Sequence, residues 1–317
     1  MPPAMITSRS TELREGLFGG VFLFLLEVLP GLADRGCRPR WKIDSECYGN
    51  VIPAVLTPVA PGNDQGPSRS ITSIREEDHR AVGGDFEAIS HLWCDYFRPS
   101  DEVVDAADLL DPGLEKAIGI HYRGGDKLKA WWDTNPIGRE DFLELILERI
   151  EDDPEIDRYL VASDDAEFIS IVGRELDFPV SVLPVGASHK SSRKAGALED
   201  RAILAFRDCL LLSRCRSILQ TSSALPSFAK VLRPEVDCRR CAASKWFGKV
   251  PYFPVAYIPV HEPRAPRLQR VVAKAMVGDW SREPEALRFP EAFAFADRAE
   301  ILRAVTPRRW WHRYTRR

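Results

Sequence analysis

One short segment carries four side chains that could bind an anionic ligand: His121, Arg123, Asp126 and Lys127. The Arg123 guanidinium is a planar fork that suits phosphate oxygens, and Lys127 would add a second positive charge. Two glycines, Gly124-Gly125, would let the backbone approach a ligand closely. Asp126 could hold either cation in place. A strand end with a surface salt bridge and a solvated lysine fits the same residues equally well.

An acidic pair, Asp164-Asp165, follows the apolar run Tyr159–Ala162. Carboxylates can bind a divalent ion, but adjacent side chains on an extended segment point apart. No histidine stands near the pair. We therefore expect no metal ion here, and instead a helix cap or a contact with a bound ligand.

From residue 117 onward, predicted strands and helices alternate. The predicted strands are Ala117–Tyr122, Tyr159–Ala162, Val180–Leu183 and Ser217–Gln220, and the predicted helices are Arg139–Ile150, Ala166–Leu176, Glu199–Ser213 and Ala224–Leu232. This alternation predicts a doubly wound parallel sheet, in which ligands bind outside the carboxyl ends of the strands. The polar groups that fall at those ends are His121 to Lys127, Ser163 to Asp165, and Thr221 to Ser223.

The N-terminal part of the chain is less regular. Glycines within Gly16–Gly20 precede the apolar run Val21–Leu32. We expect a tight loop there that leads into a helix, with the amides of Gly19 and Gly20 at the helix N-terminus. Such amides can face an anion, although a glycine turn before a core helix is the commoner pattern. Two further expectations are a strand at Arg40–Ile43 and a loop, rich in proline, glycine and serine, over Val51–Asp85. Tyr252–Pro259 is a last candidate strand.

Composition excludes several classes of protein. The chain has 317 residues and a net charge of −3, which disfavours nucleic-acid binding. Its seven cysteines do not form the even, dense pattern of a secreted disulfide scaffold. The apolar stretch Val21–Leu26 stops at Glu27, short of the ~20 residues of a membrane span. We expect a cytoplasmic protein.

The segment Ile118–Lys127 resembles the H-x-R-x-x-D-K segment of α-1,6-fucosyltransferases, which are related to nodulation fucosyltransferases and protein O-fucosyltransferases. Two further stretches match in the same order: Tyr159–Asp165, and Asp208–Cys215 continuing to Thr221-Ser222-Ser223. The resemblance spans residues 115–235. Gly16–Gly20 matches the glycine loop of that family only loosely, and residues 50–110 and 263–317 match nothing in it.

The resemblance implies a GT-B-like α/β fold, with two Rossmann-like domains and the donor site in the cleft between them. Residues 1–112 would form the acceptor-side domain, with a flexible excursion over 57–85. Residues 113–262 would form the nucleotide-sugar domain, and 263–317 an extension. The implied reaction is an inverting transfer of fucose from GDP-fucose to a glycan or lipid-linked glycan, without metal or cofactor.

The resemblance also implies residue roles. Arg123 would hold the donor β-phosphate, His121 would contact guanosine, and Asp208 would accept from the two N–H groups of guanine. Catalysis would rest on Arg123, Asp126 and Lys127. The full set of implied donor-binding residues is Gly19, Gly20, His121, Arg123, Asp165, Asp208, Ser222 and Ser223.

The sequence departs from the family after the Asp-Lys pair. The α-1,6 enzymes carry a glutamate there as candidate base, and this chain has Trp131-Trp132-Asp133. The paired tryptophans could form a platform for the acceptor sugar or could simply pack, and Asp133 or Asp126 could replace the base. The departure leaves two alternatives open: a transferase with another nucleotide-sugar donor, and a non-catalytic binding protein on the same fold.

The last residues, Arg308 to Arg317, interleave five arginines with three aromatic side chains. Cations attract anionic lipid, and Trp and Tyr favour the membrane interface. We hypothesise a weak peripheral contact of residues 307–317 with the inner face of the membrane. The alternative is a frayed basic tail, or a helix packed across the two domains.

Overall fold

The computed structural model describes residues 5–9, 16–59, 70–71, 86–110, 113–124, 137–176, 180–183, 198–221 and 223–241. Its strands are β1 (Met5–Arg9), β2 (Arg40–Ser45), β3 (Gly49–Asn50), β4 (Leu56–Pro58), β5 (Ser70–Ile71), β6 (Phe97–Pro99), β7 (Ala117–Tyr122), β8 (Arg158–Ser163), β9 (Val180–Val182), β10 (Ser217–Gln220) and β11 (Asp237–Arg240). Its α-helices are α1 (Leu23–Asp34), α2 (Val51–Ala54), α3 (Phe86–Tyr96), α4 (Asp101–Asp108), α5 (Arg139–Asp152), α6 (Ala166–Glu175), α7 (Leu198–Arg214) and α8 (Ala224–Leu232). The fold is mixed α/β.

The second half of the chain forms a five-stranded sheet in the order β11-β10-β7-β8-β9. Every neighbouring pair in this sheet is parallel. Counted from β7, the order is 5-4-1-2-3, which is that of a doubly wound sheet whose direction reverses between β7 and β10. The predicted parallel sheet is therefore confirmed, with strand and helix bounds within two residues of those expected.

Helices cover both faces of this sheet. On one face, Tyr122 stacks on Phe168 of α6 at 4.2 Å between ring centroids and lies 5.5 Å from Phe142 of α5. On the other face, α7 approaches β7 so closely that a Cβ on Gly119 would lie 2.9 Å from Leu212 Cδ2. Because both faces are buried, the central strands are apolar over Ala117–Ile120 and Tyr159–Ala162 rather than alternating.

The first half of the chain contains a four-stranded sheet in the order β3-β2-β1-β5. Strand β1 pairs in parallel with β2 and β5, and β2 pairs with β3 in antiparallel fashion. A separate antiparallel pair joins β4 to β6. The loop predicted over Val51–Asp85 is therefore partly wrong, since α2, β4 and β5 fall within it.

The helix of lowest polarity begins with a π-helical turn at Leu17–Phe22 and continues as α1. The Phe22 ring lies 5.1 Å from Phe206 of α7 and 5.0 Å from Phe228 of α8. Among the described residues this one helix, Leu17–Asp34, is long and apolar enough to cross a membrane, but 78% of it is buried inside the fold. Its apolar side chains form core, as predicted.

Gly19 and Gly20 lie inside the π-helical turn, with Gly16 as the residue that precedes it. The expected tight loop before the helix is therefore wrong: both glycines belong to the first helical turn. The Val21 amide donates to Gly16 O at 3.2 Å across five residues, the hydrogen bond that defines a π-helix.

Candidate functional site

The described members of the predicted polar groups meet at the carboxyl edge of the five-stranded sheet, where its winding reverses. In the register of the sheet, Gln220 at the end of β10 lies opposite His121 on β7. The Thr221 amide then donates to His121 O at 3.0 Å, and the Arg123 amide donates to Thr221 Oγ1 at 2.9 Å. These bonds join the chain after β7 to the chain after β10.

Asp164 joins the same segment to β8. Its Oδ1 accepts from the Gly124 amide at 2.7 Å, and its Oδ2 lies 2.9 Å from Arg123 Nε. The two side chains are 20% and 17% exposed, so the ion pair is largely withdrawn from solvent. Among the described residues, Asp164 is the carboxylate that pairs with Arg123. Asp126 lies outside the described residues, and its contact with a cation of the segment stays a prediction.

Asp165 has a different set of partners. Its Oδ1 accepts from the amides of Glu167 and Phe168 at 3.0 Å each, which caps the N-terminus of α6. Its Oδ2 accepts from Arg139 Nε at 2.9 Å. These bonds keep its pKa lowered despite burial, which acts in the opposite direction. Asp165 is thus the helix cap that the sequence predicted, with partners different from those of Asp164. Its contact with a donor stays a prediction.

Within the described ranges, no group of three histidine, cysteine or acidic side chains could hold a metal ion.

His121 lies beside Arg123 and is 6% exposed. Burial, and then the positive charge of Arg123, lower its pKa from 6.5 to about 3. Its imidazole is therefore neutral near pH 7, and its buried Nδ1 has no hydrogen-bond partner among the described residues. A neutral imidazole suits a hydrogen bond with an uncharged ligand group better than proton transfer near pH 7.

Asp208 lies on α7, buried at 5% exposure. The Arg207 guanidinium pairs with it, with Nε at 3.1 Å and Nη2 at 2.6 Å from Oδ1. The chain returns from α7 at the amino edge of the sheet, where the Arg216 amide donates to Ala117 O. The helix therefore runs antiparallel to β7.

The height of Asp208 above the sheet follows from that direction. Leu212 packs against Gly119, and Asp208 precedes Leu212 by four residues of helix, about 6 Å. At about 3.3 Å per strand residue, this distance carries Asp208 two residues along β7. It thus lies at the level of His121, near the carboxyl edge.

Tyr48 brings the first half of the chain to this site, a contribution that the sequence did not signal. Its hydroxyl lies close enough to Arg123 and Arg201 for their charges to act on it. Burial first, and then neighbouring Cys47, raise its pKa to about 12, while the two arginines oppose the shift. The Tyr48 hydroxyl therefore stays protonated at any physiological pH.

The N-terminal turn of α7 holds the loop that carries Tyr48. Arg201 Nη1 donates to Cys47 O at 3.0 Å, and the Asn50 amide donates to Glu199 Oε1 at 3.1 Å. Gly49, at φ 65°, passes so close that a Cβ there would meet the Glu199 carboxylate at 2.3 Å. This contact requires glycine both for its backbone and for its missing side chain.

The remaining candidates divide into two sets. Gly19 is half-buried, Gly20 is buried, and Ser223 precedes α8 without a side-chain cap bond. The candidates that lie outside the described residues are Asp126, Lys127, Trp131, Trp132, Asp133, Ser222 and the tail 307–317.

No family model and no curated protein matches the chain. It is similar to solved structures of fucosyltransferases. One is fucosyltransferase NodZ from Bradyrhizobium, at 16% identity and a TM-score of 0.48 over 77% of this chain and 96% of that one. Another is POFUT1 in complex with GDP-fucose, at 10% identity and a TM-score of 0.44 over 76% and 98%. A third is a mutant of Arabidopsis thaliana FUT1 in complex with GDP, at 16% identity and a TM-score of 0.32 over 49% and 36%.

At these identities the matches assign no role to a residue of this chain. The site itself consists of a guanidinium held by a carboxylate, a neutral imidazole and a buried acid near the switch point of a doubly wound sheet. Such an edge is where these sheets bind nucleotides.

Proposed function

We propose that this protein is an inverting, metal-independent glycosyltransferase of GT-B architecture that transfers fucose from GDP-fucose to a hydroxyl group of a glycan. The observation that carries the proposal is the position of Arg123. It lies at the switch point of the sheet, between His121 and Thr221, with its guanidinium oriented by Asp164. The three sequence motifs that resemble fucosyltransferases all contribute to this edge.

The proposed reaction breaks the bond between fucose C1 and the β-phosphate oxygen of GDP. The acceptor hydroxyl attacks C1 from the opposite face, so the configuration inverts and the hydroxyl proton passes to a base. Negative charge grows on the departing β-phosphate, and Arg123 stabilises it. A preorganised group of this kind is a large term in catalysis because it costs no reorganisation during the reaction.

His121 is a poor candidate for the base, because its pKa of about 3 leaves too little proton affinity near pH 7. The base is therefore sought among carboxylates, for which Asp126 and Asp133 are the proposed candidates. His121 would instead contact the nucleoside through a neutral hydrogen bond.

Recognition of guanine is proposed for Asp208. A carboxylate can accept from guanine N1–H and N2–H together, and adenine offers no such pair of donors. The ion pair with Arg207 fixes the orientation of the carboxylate and leaves its acceptor capacity only partly used, since a carboxylate has about four lone-pair sites. A thermal-shift panel of GDP, UDP, ADP and CMP tests this preference, with stabilisation expected for GDP above the rest.

The decisive variant is Arg123→Ala, compared with Arg158→Ala as a matched control. Arg158 also forms a partly exposed pair with an aspartate, Asp157, but at the opposite edge of the same sheet. We expect Arg123→Ala to weaken GDP binding in calorimetry and to lower turnover of GDP-fucose by at least ~10²–10³-fold. Arg123→Lys should recover only part of this loss, because lysine keeps the charge without the fork.

Arg158→Ala should leave both quantities unchanged. Equal GDP affinity in Arg123→Ala and the wild type would contradict the proposal. Tight GDP binding with neither transfer nor donor hydrolysis in the wild type would instead favour the non-catalytic alternative.

A further inference from the structure

The motif comparison assigns no role to Asp164, and the structure places it against Arg123. Its carboxylate makes two contacts in different directions: Oδ2 with Arg123 Nε at 2.9 Å and Oδ1 with the Gly124 amide at 2.7 Å. It thus binds both the side chain of one residue and the backbone of the next. A carboxylate used only to neutralise a surface charge would not need the second contact.

The geometry of the pair has a consequence for the guanidinium. Asp164 contacts Arg123 through Nε, the guanidinium nitrogen that is bonded to the aliphatic part of the side chain. A long arginine side chain has about 2 kcal/mol of rotamer freedom, which must be removed before the guanidinium can act on a developing charge. An ion pair at Nε removes much of that freedom in advance.

The backbone of the segment is fixed from the other side. Thr221 Oγ1 accepts from the Arg123 amide at 2.9 Å, so the main chain is anchored to β10 while the side chain is anchored to β8. Arg123 is therefore held between the two strands that flank β7. Of these contacts, the one with Asp164 acts on the side chain, and the one with Thr221 acts on the main chain.

We propose that Asp164 is a positioning residue, which orients the Arg123 guanidinium toward the leaving phosphate of the donor. This inference rests on the proposed function, because it concerns how Arg123 acts in that reaction. Asp164 itself would touch no reacting atom, and its effect would pass entirely through Arg123.

Asp164→Asn separates the two contacts. The asparagine Oδ1 can still accept from the Gly124 amide, whereas the ion pair with Arg123 is lost. We expect kcat for GDP-fucose to fall about 10- to 30-fold, the factor that corresponds to the freed rotamers of a long side chain. GDP affinity should change less than threefold. Asp157→Asn is the matched control, because it removes the same charge from an arginine pair at the start of β8 and should change neither quantity.

A double-mutant cycle with Arg123→Ala decides whether Asp164 acts through Arg123. In the Arg123→Ala background, Asp164→Asn should have no further effect on turnover, so the two changes are strongly non-additive. Additive losses would overturn the inference and leave Arg123 with its proposed role. GDP binding at least tenfold tighter in Asp164→Asn would also overturn it, because Asp164 would then compete with the phosphate.

A third measurement separates failure of the inference from failure of the proposed function. The same cycle is measured on the free energy of unfolding in urea. If the wild type binds no GDP and turns over no donor while the pair still couples in unfolding, the pair is structural. That result overturns both the proposed function and the inference, whereas an active wild type with an unaffected Asp164→Asn variant overturns the inference alone.

Discussion

Gly124 offers a sharp test of the site's geometry, because the residue after Arg123 has no room for a side chain. A Cβ on Gly124 would lie 2.6 Å from Asp165 Oδ2, 2.8 Å from Asp165 Cβ and 3.0 Å from Asp165 Cγ. Its backbone is not in the left-handed region, which in the described residues is occupied by Gly36, Gly49 and Gly113. The cost of Gly124→Ala therefore comes from the contact with Asp165 and not from the backbone.

The magnitude follows from what Asp165 must give up when it moves. It caps α6 through the amides of Glu167 and Phe168, and loss of such a cap costs about 1 kcal/mol. Forcing an extra carbon into a packed site costs about 1–3 kcal/mol more. The pair with Arg139 adds little, since that arginine is 32% exposed. We expect Gly124→Ala to lower the free energy of unfolding by about 2–4 kcal/mol.

Urea unfolding followed by far-UV circular dichroism measures this change, and GDP calorimetry reports on the neighbouring arginine. Gly173→Ala in α6 is the matched control, because no atom lies within 4 Å of a Cβ there. It should stabilise the protein by about 0.5–1 kcal/mol, the usual gain for alanine over glycine inside a helix.

A second background tests the mechanism of the clash. Asp165→Gly removes the three crowding atoms and keeps a residue type that is tolerated at a helix N-cap. In that background, Gly124→Ala should cost less than half of its cost in the wild type. If the free energy of unfolding of Gly124→Ala lies within 0.5 kcal/mol of the wild-type value, the close packing of Asp165 against Gly124 is wrong.

Two further predictions concern acid stability and the C-terminal tail. Because His121 binds a proton at pH 6.5 when unfolded but only near pH 3 when folded, stability should fall by about 2 kcal/mol between pH 7 and pH 5. In urea titrations, His121→Gln should remove this loss of stability, whereas His91→Gln, a change at an exposed residue, should retain it. An equal dependence of the free energy of unfolding on pH in the two variants would refute the burial of His121. For the tail, deletion of residues 307–317 should abolish co-sedimentation with anionic vesicles and leave GDP binding intact. Equal co-sedimentation of the full and shortened chains would contradict the proposed membrane contact.

Much of the second half of the fold could be predicted from the sequence, for a local reason. The strands Ala117–Tyr122 and Ser217–Gln220 and the helix Ala224–Leu232 have the same bounds in the structure as expected. Each is an apolar run or an amphipathic repeat bounded by polar residues, so its type is decided by neighbours in sequence. The parallel topology then followed from the alternation, and with it the edge at which the site residues gather.

The first half of the fold could be predicted less well from the sequence, because its elements carry weaker local signals. Strand β5 has two residues and lies within a stretch rich in proline and glycine, and its place in the sheet is decided by pairing with β1. The glycines before α1 indicated a loop. In the structure Gly19 and Gly20 are already helical, and Phe22 in the same turn packs against α7 and α8.

Within the site, the sequence by itself determined that Arg123, Asp164 and Thr221 arrive at the carboxyl edge, since each follows the end of its own strand. Only the tertiary structure decided which of them touch. Arg123 pairs with Asp164, forty-one positions along the chain, at a separation that no local pattern indicates. Tyr48 is positioned because two residues of α7 form hydrogen bonds with the loop that carries it. Periodicity reports which face of an element a residue occupies, whereas side-chain pairing depends on strand register and helix direction, which are set by packing between distant segments.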